Sequence, residues 1–231
     1  MKYIGIIAAM DEEMEEIREK MQDTNIVEIY NLRFIKGKIN NKNCILVQSG
    51  IGKVNAARAT QILINNFEIE CVINVGVAGA VNVVLDIGDV VIGKYVVQHD
   101  FDITAFGHSK GYVTGIGDKI MCNHEIVNKF EEILKKKDER KYNIKIGTVA
   151  SGDIFCTEID MKNKINKKFK ADVVDMECAA IAQVCYLDNI PFASIRSVSD
   201  VPNGNNANTF KENLELASKR CANILSEYCS E

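Results

Sequence analysis

Carboxylates recur where the apolar runs of this sequence end. Asp11, Glu12 and Glu13 follow IGIIAAM, Asp175 and Glu177 stand one residue apart inside VVDMECAAIAQVC, and Asp200 closes PFASIRSVSD directly after Ser199. Glycine-bearing stretches occupy comparable places: SGIGK at 49–53, VGVAGA at 75–80 and SGDIFC at 151–156. Carboxyl groups hold hydroxyls or move protons, and glycine lets a backbone come close to a ligand. An unpaired carboxylate in an apolar run is costly. Asp175 and Glu177 therefore imply either a run less buried than it looks or a ligand that meets them.

Spacing alone reads the three acids at 11–13 as the first turn of a helix, where the dipole favours negative charge. For Asp200, function and packing both stay open, since a carboxylate at the end of so apolar a strand is not simply a solvated loop acid. At least one of Asp175 and Glu177 belongs at a helix mouth, where backbone N–H groups favour an anion. SGIGKVNAA imitates a phosphate loop but fails on detail. Val47 and Val54 stand where the P-loop needs its first glycine and its Ser or Thr, and the dinucleotide fingerprint lacks its third glycine. A tight turn is the simpler reading, with Ile51 at its tip either a pocket wall or a packing residue. No cluster of Arg or Lys stands among these ends, which weakens any grip on phosphate.

The elements that must position these residues alternate. YIGIIAA (3–9) predicts a strand, followed by a helix from Asp11, its N-cap, to Met21. RFIKGKI and NCILVQS (33–39, 43–49) predict a hairpin across the turn residues between them. A helix from Lys53 to Asn66, strands at 70–76 and 89–97, and a short extended piece at DITAF come next. Then follow an amphipathic helix over 123–137, a strand at 144–152, and a helix over 158–168 whose lysines read as a solvated face. ADVVDM is a short strand into the helix that carries Glu177, 191–200 the last strand, and Asn208 to Tyr228 a closing helix. Such alternation predicts an α/β protein with a parallel or mixed sheet, and ligands gather at the carboxyl ends of strands in such folds.

Composition agrees with one domain over 1–231, a length that α/β domains reach undivided. A net charge of −4 gives no general attraction to nucleic acid. No run approaches the roughly 18 to 20 apolar residues of a membrane span, and the first residues lack a signal-peptide pattern. A cytoplasmic protein is expected, with a small-molecule partner and neither nucleic acid nor membrane. The 8 cysteines include no CxxC pair and the 3 histidines are not spaced as a metal set, so no disulfide framework, metal or cofactor is expected.

Taken together, IGIIAAMDEE, SGIGKVNAA, NVGVAGA, DITAFG, SGDIF, VVDMECAAIA and RSVSD resemble, in order and spacing, the 5′-methylthioadenosine/S-adenosylhomocysteine nucleosidases of the purine nucleoside phosphorylase superfamily. The resemblance implies a single-domain, three-layer α/β/α sandwich around a mixed, barrel-like sheet, and a homodimer. It implies hydrolysis of the bond between adenine N9 and ribose C1′, in methionine salvage. Adenine anion leaves poorly, so an acid kept protonated near neutrality must reach N7 as the bond breaks. Asp200 matches that acid, oriented by Ser199, and Glu13 matches the base that activates water, in the manner of an inverting glycosidase.

By the same resemblance Glu177 binds the ribose hydroxyls, free of protein donors, with Met176 packed at the sugar. Phe155 stacks on adenine, the Cys156 backbone reads its edge, and Gly79 lets the chain approach the nucleoside. Met10, Ile51 and Phe210 line the 5′ pocket, completed by Ile103 and Phe106 of the partner subunit. Asp175 receives no role. Val77, Thr114 and Cys156 depart from the family's commoner Ser, Pro and aliphatic residue. These departures bear on the choice among methylthioadenosine, S-adenosylhomocysteine, 5′-deoxyadenosine and aminofutalosine, not on the reaction class. The competing readings are a phosphate-dependent purine nucleoside phosphorylase and a nucleoside-binding module without chemistry.

Overall fold

The computed structural model describes residues 1–135, 141–202 and 206–231. Strand β1 (Tyr3–Ala8) is buried from Ile4 onward, because it runs between two parallel neighbours, β4 (Lys42–Gln48) and β5 (Ile69–Ala80). Beyond β4 the sheet continues antiparallel through β3 (Leu32–Ile39) to an edge strand, β2 (Gln22–Ile29). On the other side β5 pairs with both β9 (Val173–Asp175) and β10 (Phe192–Asp200). β10 pairs with β6 (Val90–Gln98), β6 with β8 (Ile144–Ser151), and β8 with β9. Those five strands close on themselves, which makes the mixed sheet barrel-like, and β7 (Ile120–Met121) adds a short pairing on β6.

Helices cover the sheet as the outer layers of the sandwich. α2 (Lys53–Asn66) packs on α5 (Cys178–Leu187), while α1 (Asp11–Arg18) and α3 (His124–Lys135) both pack on α6 (Asn206–Ser230). α4 (Ile159–Phe169) lies against β8. The core between the layers is aliphatic, with Ile6, Ile7, Leu46, Ile73 and Ile92 fully buried. Each such side chain contributes roughly 1.5–3 kcal/mol relative to exposure.

Several local expectations are corrected. Met10, not Asp11, is the N-cap of α1, and the helix ends at Arg18 rather than Met21. DITAF forms a 3-10 turn over Thr104–Phe106 instead of an extended piece, because the Asp102 carboxylate accepts both the Thr104 N–H and hydroxyl and Gly107 ends the turn in the left-handed region. The amphipathic helix expected over 123–137 is α3, and its last two positions, 136 and 137, lie outside the described residues. β2 had no strand signal because its first five residues are all exposed. Tyr30 and Asn31, both in the left-handed region, make the tight turn into β3, and of the two only Asn31 is a residue type that favours such a turn.

The most consequential difference is in β5. It runs on through VGVAGA to Ala80 rather than ending at Gly76, so Gly79 lies within the strand instead of past its end. β10 keeps it company to Asp200, with Arg196 opposite Gly76 and Asp200 opposite Gly79. Glycine lets these two backbones carry large polar side chains between them.

Candidate active site

Glu13 is set by the turn from β1 into α1. As the third residue of the helix it reaches back to the cap, where its Oε2 accepts the Ala9 N–H at 2.8 Å and the Met10 N–H at 3.1 Å. Its Oε1 accepts the Val77 N–H of β5 at 2.8 Å. Asp11 and Glu12 beside it are exposed, whereas Glu13 is buried. Burial, the largest influence, pushes its pKa above the ordinary value against the opposing pull of Arg196 and the three N–H groups. The result is a fixed carboxylate with raised proton affinity, as a base for water needs.

Arg196, absent from the sequence-derived site, is fully enclosed in β10. Its Nε donates to Asp175 Oδ2 at 2.9 Å, its Nη2 lies 2.7 Å from the same oxygen in an ion pair, and Nη2 donates to Asn74 Oδ1. Asp175 further accepts the Ser151 hydroxyl and, at 3.1 Å, the Cys178 N–H at the mouth of α5. Burial works against the charge on Arg196, but Asp175 and the neighbouring acids outweigh it and hold its pKa above the ordinary value. A buried charge needs such partners, and this accounts for Asp175. A lone arginine inside PFASIRSVSD, a run read as a buried strand, was the available signal.

Glu177 is the N-cap residue of α5, and its Oε1 accepts the Gly52 N–H at 2.7 Å. The expectation that protein leaves it without a donor is thus corrected. Gly52, at φ 97, aims that N–H across from the GIGK turn, a contact between segments far apart in sequence. Burial first, and Asp175 second, push the Glu177 pKa to about 8.

Asp200 ends β10 inside the molecule. Its Oδ1 accepts the Ser199 hydroxyl at 3.1 Å, and its Oδ2 lies 2.6 Å from Lys162 Nζ. Lys162 is completely buried. Of the lysines in 158–168 expected on a solvated face, Lys164, Lys167 and Lys168 are exposed as expected, and Lys162 is the exception, turned inward with its amine against Asp200. The signal was helical spacing: Lys162, Ile165 and Phe169 recur at three and four residues, on the inward face of α4.

Glu13, Glu177 and Asp200 line one cavity of about 280 Å³, near the lower end of the roughly 300–1,000 Å³ typical of small-ligand sites. Met10, Ile51, Gly79, Phe155, Cys156, Met176, Ser199 and Phe210 line it too, together with Val77, Asp175 and Lys211. Phe155 and Phe210 meet edge to face at 5.6 Å between ring centroids. Ile103 and Phe106 are not in its wall; they belong to the 3-10 turn, and Phe106 is 81% exposed. Thr114 is also exposed. Lys53, which a phosphate loop would aim at its anion, spends its amine on Asp100 at 2.7 Å and Gln98 at 3.2 Å.

The sequence profile of the phosphorylase superfamily matches residues 3–230. A curated 5′-methylthioadenosine/S-adenosylhomocysteine nucleosidase of Staphylococcus haemolyticus is 40% identical over 96% of both chains. The chain belongs to the 5′-methylthioadenosine/S-adenosylhomocysteine nucleosidase family. As a nucleosidase it hydrolyses an N-glycosidic bond of adenosine-type nucleosides. The crystal structure of the Neisseria meningitidis nucleosidase with methylthio-immucillin-A superposes with a TM-score of 0.93 at 34% identity, covering 100% of this chain and 99% of that one. The futalosine hydrolase of Helicobacter pylori superposes as well, with a TM-score of 0.93 at 31% identity over 98% of this chain and 97% of its own. The fold is thus shared by proteins named for different substrates.

Proposed function

We propose that this nucleosidase domain, residues 1–231, cleaves 5′-methylthioadenosine and S-adenosylhomocysteine to adenine and the 5-thioribose product, and 5′-deoxyadenosine by the same adenine recognition. The observation that carries the reading is the convergence of Glu13, Glu177 and Asp200, from three distant segments, on one mainly apolar cavity. Asp200 gives its proton to N7 as the bond to C1′ breaks. Glu13 takes a proton from the water that attacks C1′ on the other side of the sugar. Glu177 faces the ribose hydroxyls beside Met176, and positive charge developing on the sugar favours its ionised form. Phe155 stacks on the base, the Cys156 backbone reads its edge and Gly79 admits it, while Met10, Ile51 and Phe210 contact the 5′ substituent. Ser199 orients Asp200.

A second copy of the chain covers the open side, Ile103 and Phe106 entering the partner's 5′ pocket. The exposure of Phe106 supports this, and so does that of Ile51 at 53%. The eight buried free thiols suit a reducing compartment, so the enzyme works in the cytoplasm, in methionine salvage. Hydrolysis is favoured over phosphorolysis because Lys53 is committed to Asp100 and Ile51 occupies the tip of the turn. Purified protein is expected to release adenine from methylthioadenosine in phosphate-free buffer, and Asp200→Asn or Glu13→Gln to silence release while nucleoside still binds. Release that depends on phosphate and yields a ribose 1-phosphate would overturn hydrolysis, and unchanged turnover in either variant would remove that residue from its role.

A further inference from the structure

The mechanism just described uses Asp200 as a proton donor but leaves unused the group nearest to it. Lys162 Nζ lies 2.6 Å from Asp200 Oδ2, and both side chains are shut away from solvent. The pair fits because residue 79 is glycine: a Cβ there would stand 3.0 Å from Asp200 Oδ2 and 3.3 Å from Lys162 Nζ. No other partner of the lysine amine is seen among the described residues. The other titratable groups around the pair are the Cys156 thiol, which burial pushes to about 11, and, lining the same cavity, Glu13, Asp175, Glu177 and Lys211. A buried ammonium paired with one carboxylate, at the atom that must hand over a proton, is more than packing: an apolar residue would fill the space without the cost of desolvating two charges.

We propose that Lys162 is a positioning residue for proton delivery, holding Asp200 as an oriented carboxylate in the empty site so that the proton for N7 is taken up when the nucleoside binds. The inference rests on the nucleosidase reading of Asp200. A nucleobase N7 lone pair facing a carboxylate is repulsive, and one proton from solvent, placed on Asp200, turns that contact into an O–H to N7 hydrogen bond. As the C1′–N9 bond breaks and its electron pair passes to adenine, the Asp200 O–H bond breaks and N7–H forms. The attacking water forms its bond to C1′ and gives a proton to Glu13. Asp200 is then again a carboxylate, and the negative charge that grows on it during transfer is met at once by Lys162 in a water-poor site, where a fixed cation is most effective.

The test separates this from a structural role. In a Glu13→Gln background, where nucleoside binds without turnover, binding of methylthioadenosine is measured by calorimetry in two buffers of different ionisation enthalpy. Uptake of about one proton is expected, and none with the 7-deaza analogue, which has no N7 lone pair. Adding Lys162→Met removes the counter-charge, so Asp200 carries its proton before the ligand arrives and uptake disappears while binding persists. Lys162→Arg, which keeps the charge, is expected to restore uptake. In the otherwise unmodified enzyme Lys162→Met is expected to lower kcat by on the order of 10²-fold with a smaller change in KM. Should Lys162→Met not fold, Lys162→Gln is read in the same way. Proton uptake absent in the Glu13→Gln protein, or unchanged by loss of the lysine charge, overturns the proposal; failure of the unmodified enzyme to release adenine would instead overturn the nucleosidase reading beneath it.

Discussion

Glu177 bears the cost of its own burial. Burial and the neighbouring Asp175 raise its pKa from 4.5 to about 8, so the folded protein binds this proton more tightly than the unfolded chain does. Between those values stability falls as pH rises, because ionising the group is easier once the chain unfolds. Glu177→Gln removes that cost, and its amide oxygen can still accept the Gly52 N–H. The ligand-free variant is expected to be more stable than the unmodified protein at pH 8.5 by on the order of 1–3 kcal/mol, with the gap closing toward pH 4.5. Denaturant melts across that range check it, and a gap that widens as pH falls would reverse the assignment. At this scale the acids were legible in the sequence because a carboxylate beside apolar residues needs a reason. The opposing cations were not: Arg196 and Lys162 gain their meaning from Asp175 and Asp200, 21 and 38 residues away.

The elements act as frames that bring backbones to the carboxyl groups. β5 supplies the Val77 N–H to Glu13 and passes between Glu13 and Arg196 at Gly76, where a Cβ would overlap Glu13 Oε1 and lie 2.9 Å from Arg196 Nη1. Gly76→Ala is therefore expected to displace the base and lower kcat on methylthioadenosine by on the order of 10²-fold, with about 1–3 kcal/mol of stability lost to overpacking. Steady-state kinetics together with a thermal melt measure both, and unchanged kcat would show that Glu13 has room to move. Most helices and strands were readable from periodicity. The continuation of β5 through VGVAGA was not, because small residues give no alternation and a strand's length is decided by its neighbour, here β10 as far as Asp200.

At the scale of the whole molecule the proposed dimer bears on the open side of the cavity. Phe106 projects into solvent, and Ile51 and Ile154 at the cavity are also exposed. With a second copy covering this side, Phe106→Ser is expected to raise KM for methylthioadenosine by about tenfold or more, the scale of a buried aromatic anchor, while the unmodified protein sediments as a dimer. A fully active monomer would remove the partner from the site.

The sequence by itself determined the α/β class, the order of most elements and the residues that carry the family resemblance, since these rest on local periodicity and on motifs a few residues long. Tertiary structure decided what surrounds each charge. It gave Glu13 three backbone donors, Asp175 an arginine, Glu177 the Gly52 N–H and Asp200 a buried lysine. The physical reason is that solvation and pairing of a charge depend on distance in space, and closing a barrel from five strands sets distances that no spacing along the chain encodes.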